Sequence, residues 1–251
     1  MTRIGIFDSG LGGLSVLREL VKTNTASYFY FGDTLRVPYG GRKKEQIISF
    51  AEDIVDFLEG FDVDYYVIAC NTISVIATDL LREKYKKSFI PITEMGIKAS
   101  LDYKGDFLVL GTKTTINSHF YKNSIEHLTS TRVYEVAARK LVDLIEAGNL
   151  DKEELNPYLD EYLKLANEKK LPNIILACTH YPIIRDFIED RLTYKANIID
   201  PAIFAAQALK DVRGEGEVNI FMSKKTLATE NSIGKIMDSP YKLTYTNEIL
   251  K

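Results

Sequence analysis

Cysteine is nearly absent from this chain: Cys70 and Cys178 are the only two in 251 residues. Two such residues cannot staple a fold, and in a reducing compartment they are expected as thiols rather than a structural bridge. With the three histidines they show no metal-ligand spacing, so no metal is expected. Nucleotide signatures are missing, because neither GxGxxG nor GxxxxGK occurs. No GxSxG marks a serine nucleophile elbow. Charge of one sign does not dominate: at net −3, with acids and bases interspersed, there is no basic footprint for nucleic acid and no polybasic patch for a membrane. Long apolar runs are absent too, and nothing approaches a spanning length. Met1-Thr2-Arg3, then Ile4 to Phe7 broken by Asp8, is too short for a signal peptide. A soluble cytoplasmic protein is the expectation.

What is present is an ordinary globular composition, long enough to bury a sizeable core in one large or two modest domains. We read two. The stretches Asp64 to Thr72 and Pro172 to His180 organise them: in each, an apolar β-branched run reads as a buried parallel-sheet strand and ends in Ala-Cys-polar-polar. Both thiols thus arrive at carboxyl ends of strands, where open α/β sheets keep their ligands.

Along the chain, Ile4 to Phe7 is a short strand running into Asp8-Ser9-Gly10-Leu11-Gly12-Gly13, and Leu14, Val16, Leu17, Leu20 and Val21 follow at helical spacing. The glycines let backbone N–H groups turn toward an anion. Tyr28 to Phe31 is a second strand, and Val37 to Arg42 is a turn-rich loop carrying Tyr39. A helix over Ser49 to Leu58, the first cysteine strand, a helix over Thr72 to Tyr85 and a strand at Phe89 to Ile92 complete the first half. The second half repeats the plan from a strand at Phe107 to Leu110, with Gly111 to Thr115 in the place of Asp8-Ser9-Gly10. Cys70 lies 66 residues past Ile4 and Cys178 lies 71 past Phe107, which supports an internal duplication. Helices are expected over Leu141 to Ala147, Leu155 to Asn167, Tyr181 to Arg191 and Ala202 to Leu209, with a strand at Ile198-Ile199. The tail carries a strand at Val218 to Met222, a helix near Ser223 to Ala228 and a strand at Lys242 to Tyr245, and is expected to return to the first domain. That division is 1–95 with 207–251, and 96–206.

A thiol has a reference pKa of about 8.5, so modest help makes it a usable base. Removing a proton from a carbon next to a carboxylate needs a base on one face, and returning it to the other face needs an acid there. Two thiols related by pseudo-twofold symmetry supply both, which is what a cofactor-independent racemase requires. Ser9 with the Gly10 to Gly13 loop, Asn71-Thr72, Thr112, Thr115 and Thr179 offer hydrogen-bond donors for the developing carbanion. Asp8 and His180 are titratable groups placed to tune the thiols. His119 and His127 fall in a polar helical region and read as solvated. Read blandly, a cysteine at a strand end is a small buried hydrophobe, and Asp8 is the cap of its helix. Two cysteines in matched settings favour the chemical reading.

The sequence resembles glutamate racemase, of the aspartate/glutamate racemase superfamily. Gly5 to Gly13 is similar to its opening signature, Pro38-Tyr39-Gly40 to its substrate loop, Ala69-Cys70-Asn71-Thr72 to its first cysteine motif, and Gly111 to Ser118 and Cys178 to Pro182 to its later blocks. The resemblance implies Cys70 and Cys178 as acid/base thiols with Asp8 and His180 as assistants, and Glu146 at an acidic position near the histidine. It implies substrate contacts from Ser9, Pro38, Tyr39, Gly40, Asn71, Thr72, Thr112, Thr115 and Thr179. The implied fold is α/β, with two pseudo-symmetric lobes of mostly parallel sheets and the active site in the cleft. Also implied are no cofactor, glutamate as substrate, D-glutamate for peptidoglycan, and a homodimer. Two stretches depart from the family pattern: Pro91 to Gly96, and Ala138-Arg139 where a Cys-Pro pair is common. Competing readings are a racemase of the same superfamily acting on aspartate, a hydantoin or another acid, a two-lobed binding module without turnover, and a thiol redox protein.

Overall fold

Apolar side chains on both faces of short strands, with helices between them, dictate parallel sheets covered on both sides. The computed structural model describes residues 1–248, the side chains of Leu227 and Ala228 excepted. In chain order the first elements are β1 (Arg3–Asp8), α1 (Leu14–Thr23), β2 (Ser27–Gly32), α2 (Lys44–Glu59), β3 (Tyr65–Ile68), α3 (Asn71–Tyr85), β4 (Ser88–Pro91) and α4 (Ile92–Ser100). Next come β5 (Phe107–Gly111), α5 (Lys113–Asn117), α6 (Phe120–Leu128), β6 (Val133–Ala137), α7 (Arg139–Glu146), α8 (Lys152–Lys169) and β7 (Asn173–Ala177). A single 3-10 turn (Tyr181–Ile184), α9 (Arg185–Asp190), β8 (Asn197–Ile199) and α10 (Pro201–Ala208) precede the tail: β9 (Val218–Met222), α11 (Leu227–Ile236) and β10 (Lys242–Tyr245).

Two sheets result. The larger has the order β10-β9-β2-β1-β3-β4 and the smaller β6-β5-β7-β8, and every pairing among the described residues is parallel. The inner order β2-β1-β3-β4 is matched strand for strand by β6-β5-β7-β8, so the two cysteine strands, β3 and β7, hold equivalent places. The tail strands β9 and β10 extend the larger sheet beyond β2.

Each sheet is packed on both faces. On β1 and β2, Ile4, Ile6, Tyr28 and Tyr30 meet α1 and α10, while Phe7, Phe29 and Phe31 turn to α2 and α3. In the smaller sheet Leu108, Leu110, Ile174 and Leu176 lie under α7 and α8, and Phe107, Val109 and Ile175 lie under α4 and α6. Helix α4 belongs to both halves: Ile92 and Met95 enter the core of the first sheet, Ile97 and Ala99 that of the second. Phe204 of α10 likewise packs against both.

Some elements differ from sequence expectation. Ile92, read as the end of a strand, starts α4 instead. Its β-branched neighbourhood favours a strand locally, but burial of one helical face against two cores overrides that preference. The tail helix runs over 227–236 rather than 223–228, because the Thr226 hydroxyl accepts from Thr229 N and sets the start there. Edge strand β6 was not anticipated; it is only half-buried and shows no clean alternation.

Candidate active site

The carboxyl ends of β1, β3, β5 and β7 face one another across the gap between the sheets, and a cavity of about 300 Å³ lies there. Cys70 follows β3 as the residue capping α3, and Cys178 follows β7 directly. Both line the cavity, both are free thiols, and both are nearly buried, at 5% and 4% exposure. One sulfur therefore comes from each half of the molecule, and both reach a single space.

The surroundings of the two sulfurs differ. Cys178 Sγ lies 3.6 Å from His180 Nδ1, and His180 Nε2 lies 2.5 Å from Glu146 Oε1. Burial works against a charged His180, yet its contacts with Cys178 and Glu146 outweigh that and hold the imidazole well above its ordinary value. Cys70 has a hydroxyl neighbour instead, Ser9 Oγ at 3.7 Å. Burial, reinforced by the charge of Asp8, pushes the Cys70 thiol up, against the Ile73 N–H and Ser9.

Asp8, Glu146 and Thr115 do not line the cavity but support residues that do. Asp8 is fully buried: Oδ2 accepts from Gly10 N at 3.1 Å and Gly13 N at 3.0 Å, and Oδ1 accepts from Thr179 Oγ1 at 3.2 Å. Burial raises its carboxyl, while His180 and the two glycine N–H groups act the other way. Leu11 N donates to Glu146 Oε1 at 2.9 Å. The N–H groups of Gly10, Leu11 and Gly13 thus serve the protein's own carboxylates, where the sequence reading had turned the N–H groups of this loop toward a ligand anion. Its glycines serve close approach: a Cβ on Gly12 would lie 2.6 Å from both His180 Nδ1 and Thr179 Oγ1, and one on Gly10 would lie 2.2 Å from Glu146 Oε1. Thr115 buttresses Thr112, its hydroxyl 3.0 Å from that of Thr112.

Ser9, Pro38, Tyr39, Gly40, Asn71, Thr72, Thr112, Thr179 and His180 line the cavity with the thiols. The two halves are tied across it, because Thr72 Oγ1 lies 2.9 Å from Thr112 Oγ1 and Tyr121 OH donates to Asn71 Oδ1 at 2.8 Å. That second bond leaves the Asn71 amide hydrogens as donors. The Tyr39 hydroxyl is committed to Asp33 Oδ2 at 2.5 Å, so it is the body of Tyr39 that faces the cavity. Asp33 is itself buried, and it also accepts from Ser223 Oγ at 2.8 Å and pairs with Arg36. His119 and His127 lie on the exposed surface, His119 paired with Glu135 at 2.6 Å.

Sequence reasoning missed Gly41, Arg42, Arg139 and Val142 as cavity residues and Asp33 and Tyr121 as supports. Asp33 carried a signal, since it follows β2 as Asp8 ends β1. Tyr121 carried none, because its bond to Asn71 spans 50 residues. Among the described residues no helix is long and apolar enough to cross a membrane.

Comparison with known proteins shows the family and the fold. Residues 4–209 match the profile of the Asp/Glu/hydantoin racemases. Glutamate racemase 3 of Caldanaerobacter subterraneus subsp. tengcongensis is 38% identical over 237 residues, covering 89% of this chain and 86% of the relative. The crystal structure of a glutamate racemase isoform from Bacillus anthracis superposes with a TM-score of 0.92 at 26% identity, covering 100% of this chain and 99% of that one. That of the Francisella tularensis glutamate racemase, in complex with D-glutamate, gives 0.88 at 28% identity, covering 98% of both chains. With thiols from two matched strands meeting in one cavity and these likenesses running nearly end to end, the chain belongs to the glutamate racemases of the Asp/Glu/hydantoin racemase family.

Proposed function

We propose that this chain interconverts L- and D-glutamate by moving the Cα proton between opposite faces, with Cys70 and Cys178 as the two acid/base groups and no cofactor. The observation that carries the reading is the pair of free thiols, one from each equivalent strand, facing the same small cavity. One sulfur, as thiolate, takes the proton from Cα; the opposite thiol delivers its own proton to the other face, and the sulfurs exchange roles in the reverse direction. Negative charge passing into the α-carboxylate is met by preorganised donors from Ser9, Asn71, Thr72, Thr112 and Thr179. His180 and Glu146 keep the Cys178 side charged and oriented, and Asp8 works through Thr179 and the glycine loop. Pro38, Tyr39 and Gly40 wall the substrate side, and Thr115 holds Thr112.

We take the lobes as residues 1–95 with 207–251, and 96–206, so that both crossings fall within α4 and α10, the helices that share both cores. Glutamate is favoured because the relatives named above are glutamate racemases, one of them solved with D-glutamate. On this reading the enzyme works in the cytoplasm as a homodimer and supplies D-glutamate for peptidoglycan.

The test is turnover of a panel of amino acids in deuterated water with no cofactor added. D- and L-glutamate are expected to racemise with solvent deuterium at Cα. Cys70→Ser and Cys178→Ser should each lose at least about 10²-fold in racemisation, the usual contribution of a positioned acid or base, while one enantiomer keeps some exchange. Full racemisation in either variant would overturn the two-thiol scheme, and preference for another acid would reassign the substrate.

A further inference from the structure

Two exposed arginines are among the residues lining the cavity: Arg42, just past the Pro38-Tyr39-Gly40 loop that follows β2 of the larger sheet, and Arg139, the first residue of α7, which follows β6 of the smaller one. Their neighbour Arg36 is consumed by Asp33 and Asp53. Arg42, by contrast, donates only to the Arg36 carbonyl, and Arg139 has no side-chain partner among the described residues. Arg139 is also placed against local preference. Helix α7 starts Arg139-Lys140, with no acidic residue in its first turn and no side-chain cap at Ala138, so two cations sit at the positive end of the helix dipole. Residues that break a local rule without local compensation mark places where something else is satisfied.

The helix also fixes where Arg139 points. Arg139, Val142 and Glu146 share one face by their i, i+3, i+7 spacing. Val142 lines the cavity and Glu146 reaches His180, so this face runs from the cavity rim down to the catalytic imidazole. A substrate with its Cα between the thiols and its α-carboxylate on Asn71 and Thr72 still has its α-ammonium and its side chain to place, and like charge keeps the ammonium away from arginines, which leaves an acidic side chain as the group suited to the rim. Guanidinium is the group best matched to a carboxylate there, because its planar fork gives two parallel charge-assisted bonds.

We propose that Arg139, which lines the same cavity as Arg42, is a specificity-determining residue that takes the second carboxylate of a dicarboxylic amino acid. This deepens the racemase reading and rests on it. It selects an acidic side chain over the isosteric amide, and it links substrate to both sheets, since the two arginines follow strands of different sheets.

The experiment compares wild type, Arg139→Gln and Arg139→Lys on D-glutamate and D-glutamine, with circular dichroism to check folding. Arg139→Gln is expected to raise KM for D-glutamate at least about tenfold with kcat within about twofold, the size of effect a lost charge-assisted bond gives. It should also lower the preference for D-glutamate over D-glutamine about tenfold, and Arg139→Lys should recover part of both losses. Unchanged KM and unchanged preference in Arg139→Gln would overturn the proposal. Calorimetric titration of glutarate, a bare dicarboxylate, separates this proposal from the functional one. If wild type does not racemise glutamate, weaker glutarate binding in Arg139→Gln than in wild type still supports the contact. Equal binding in the two, or none in wild type, overturns it.

Discussion

Glu146 serves two partners with one oxygen, His180 Nε2 and Leu11 N, and so joins the charge state of the relay to the position of the glycine loop. Replacing it by glutamine keeps the shape but removes the charge that helps keep His180 protonated. The His180 value should fall, so the alkaline limb of the kcat/KM profile for glutamate should move to lower pH in Glu146→Gln; an unmoved limb would separate Glu146 from the titration. A second carboxyl reports on stability instead. Asp200 caps α10 by accepting from Ala202 N at 2.9 Å, and burial lifts its carboxyl to about 6. Unfolded, it titrates near about 3.9. Between those values the native state holds a proton that the unfolded chain has released, so the contribution of Asp200 to stability is full below about pH 4 and lost as pH rises through about 6. About two pKa units correspond to about 3 kcal/mol. Asp200→Asn retains the cap, and urea unfolding at pH 4 to 7 should show the mutant gaining on wild type as pH rises, with a constant difference counting against this assignment.

At the scale of elements, the turn between β1 and α1 packs directly against Glu146, Thr179 and His180 of the second half. A methyl group on Gly12 would enter the space of His180 Nδ1 and Thr179 Oγ1, both at 2.6 Å. Gly12→Ala should therefore shift the relay against Cys178 and cost at least about 10²-fold in kcat/KM, as ångström-scale misplacements do. Activity within tenfold of wild type would mean that the loop yields instead. Helix α4 makes a different point: its apolar residues divide between two cores, and neither half alone accounts for them. Strand β1 was legible because Ile4 to Phe7 are all apolar and lie next to a glycine turn. Helix α4 and strand β6 were not, because local propensity and burial point different ways there.

The whole molecule depends on its tail. Strand β9 pairs along β2 from Tyr28 to Gly32, and Phe221 packs with Phe57 and Phe61 at ring-centroid distances of 5.2 and 5.0 Å. A chain ending at residue 216 would leave β2 as an exposed apolar edge, a template for aggregation. It is expected to be insoluble or to lose cooperative thermal unfolding, and a soluble, cooperatively folding truncation would show that the remaining sheet is self-sufficient. Between the halves, Tyr121→Phe removes the donor from Asn71 Oδ1 and should cost about 1–3 kcal/mol by chemical denaturation, the range for a buried acceptor left unpaired.

By itself the sequence determined the strands that end in Cys70 and Cys178, the duplicated plan around them and the residue types nearest the thiols, because apolar periodicity and short motifs are properties of neighbours along the chain. Tertiary structure alone decided that both sulfurs open into one cavity, that the glycine loop answers to Asp8 and Glu146, and that Asp33, Tyr121, Arg42 and Arg139 belong to the site. Those relations join residues tens of positions apart. Packing two sheets with α4 and α10 between them brings such groups together, and no local pattern encodes which distant side chain will meet which.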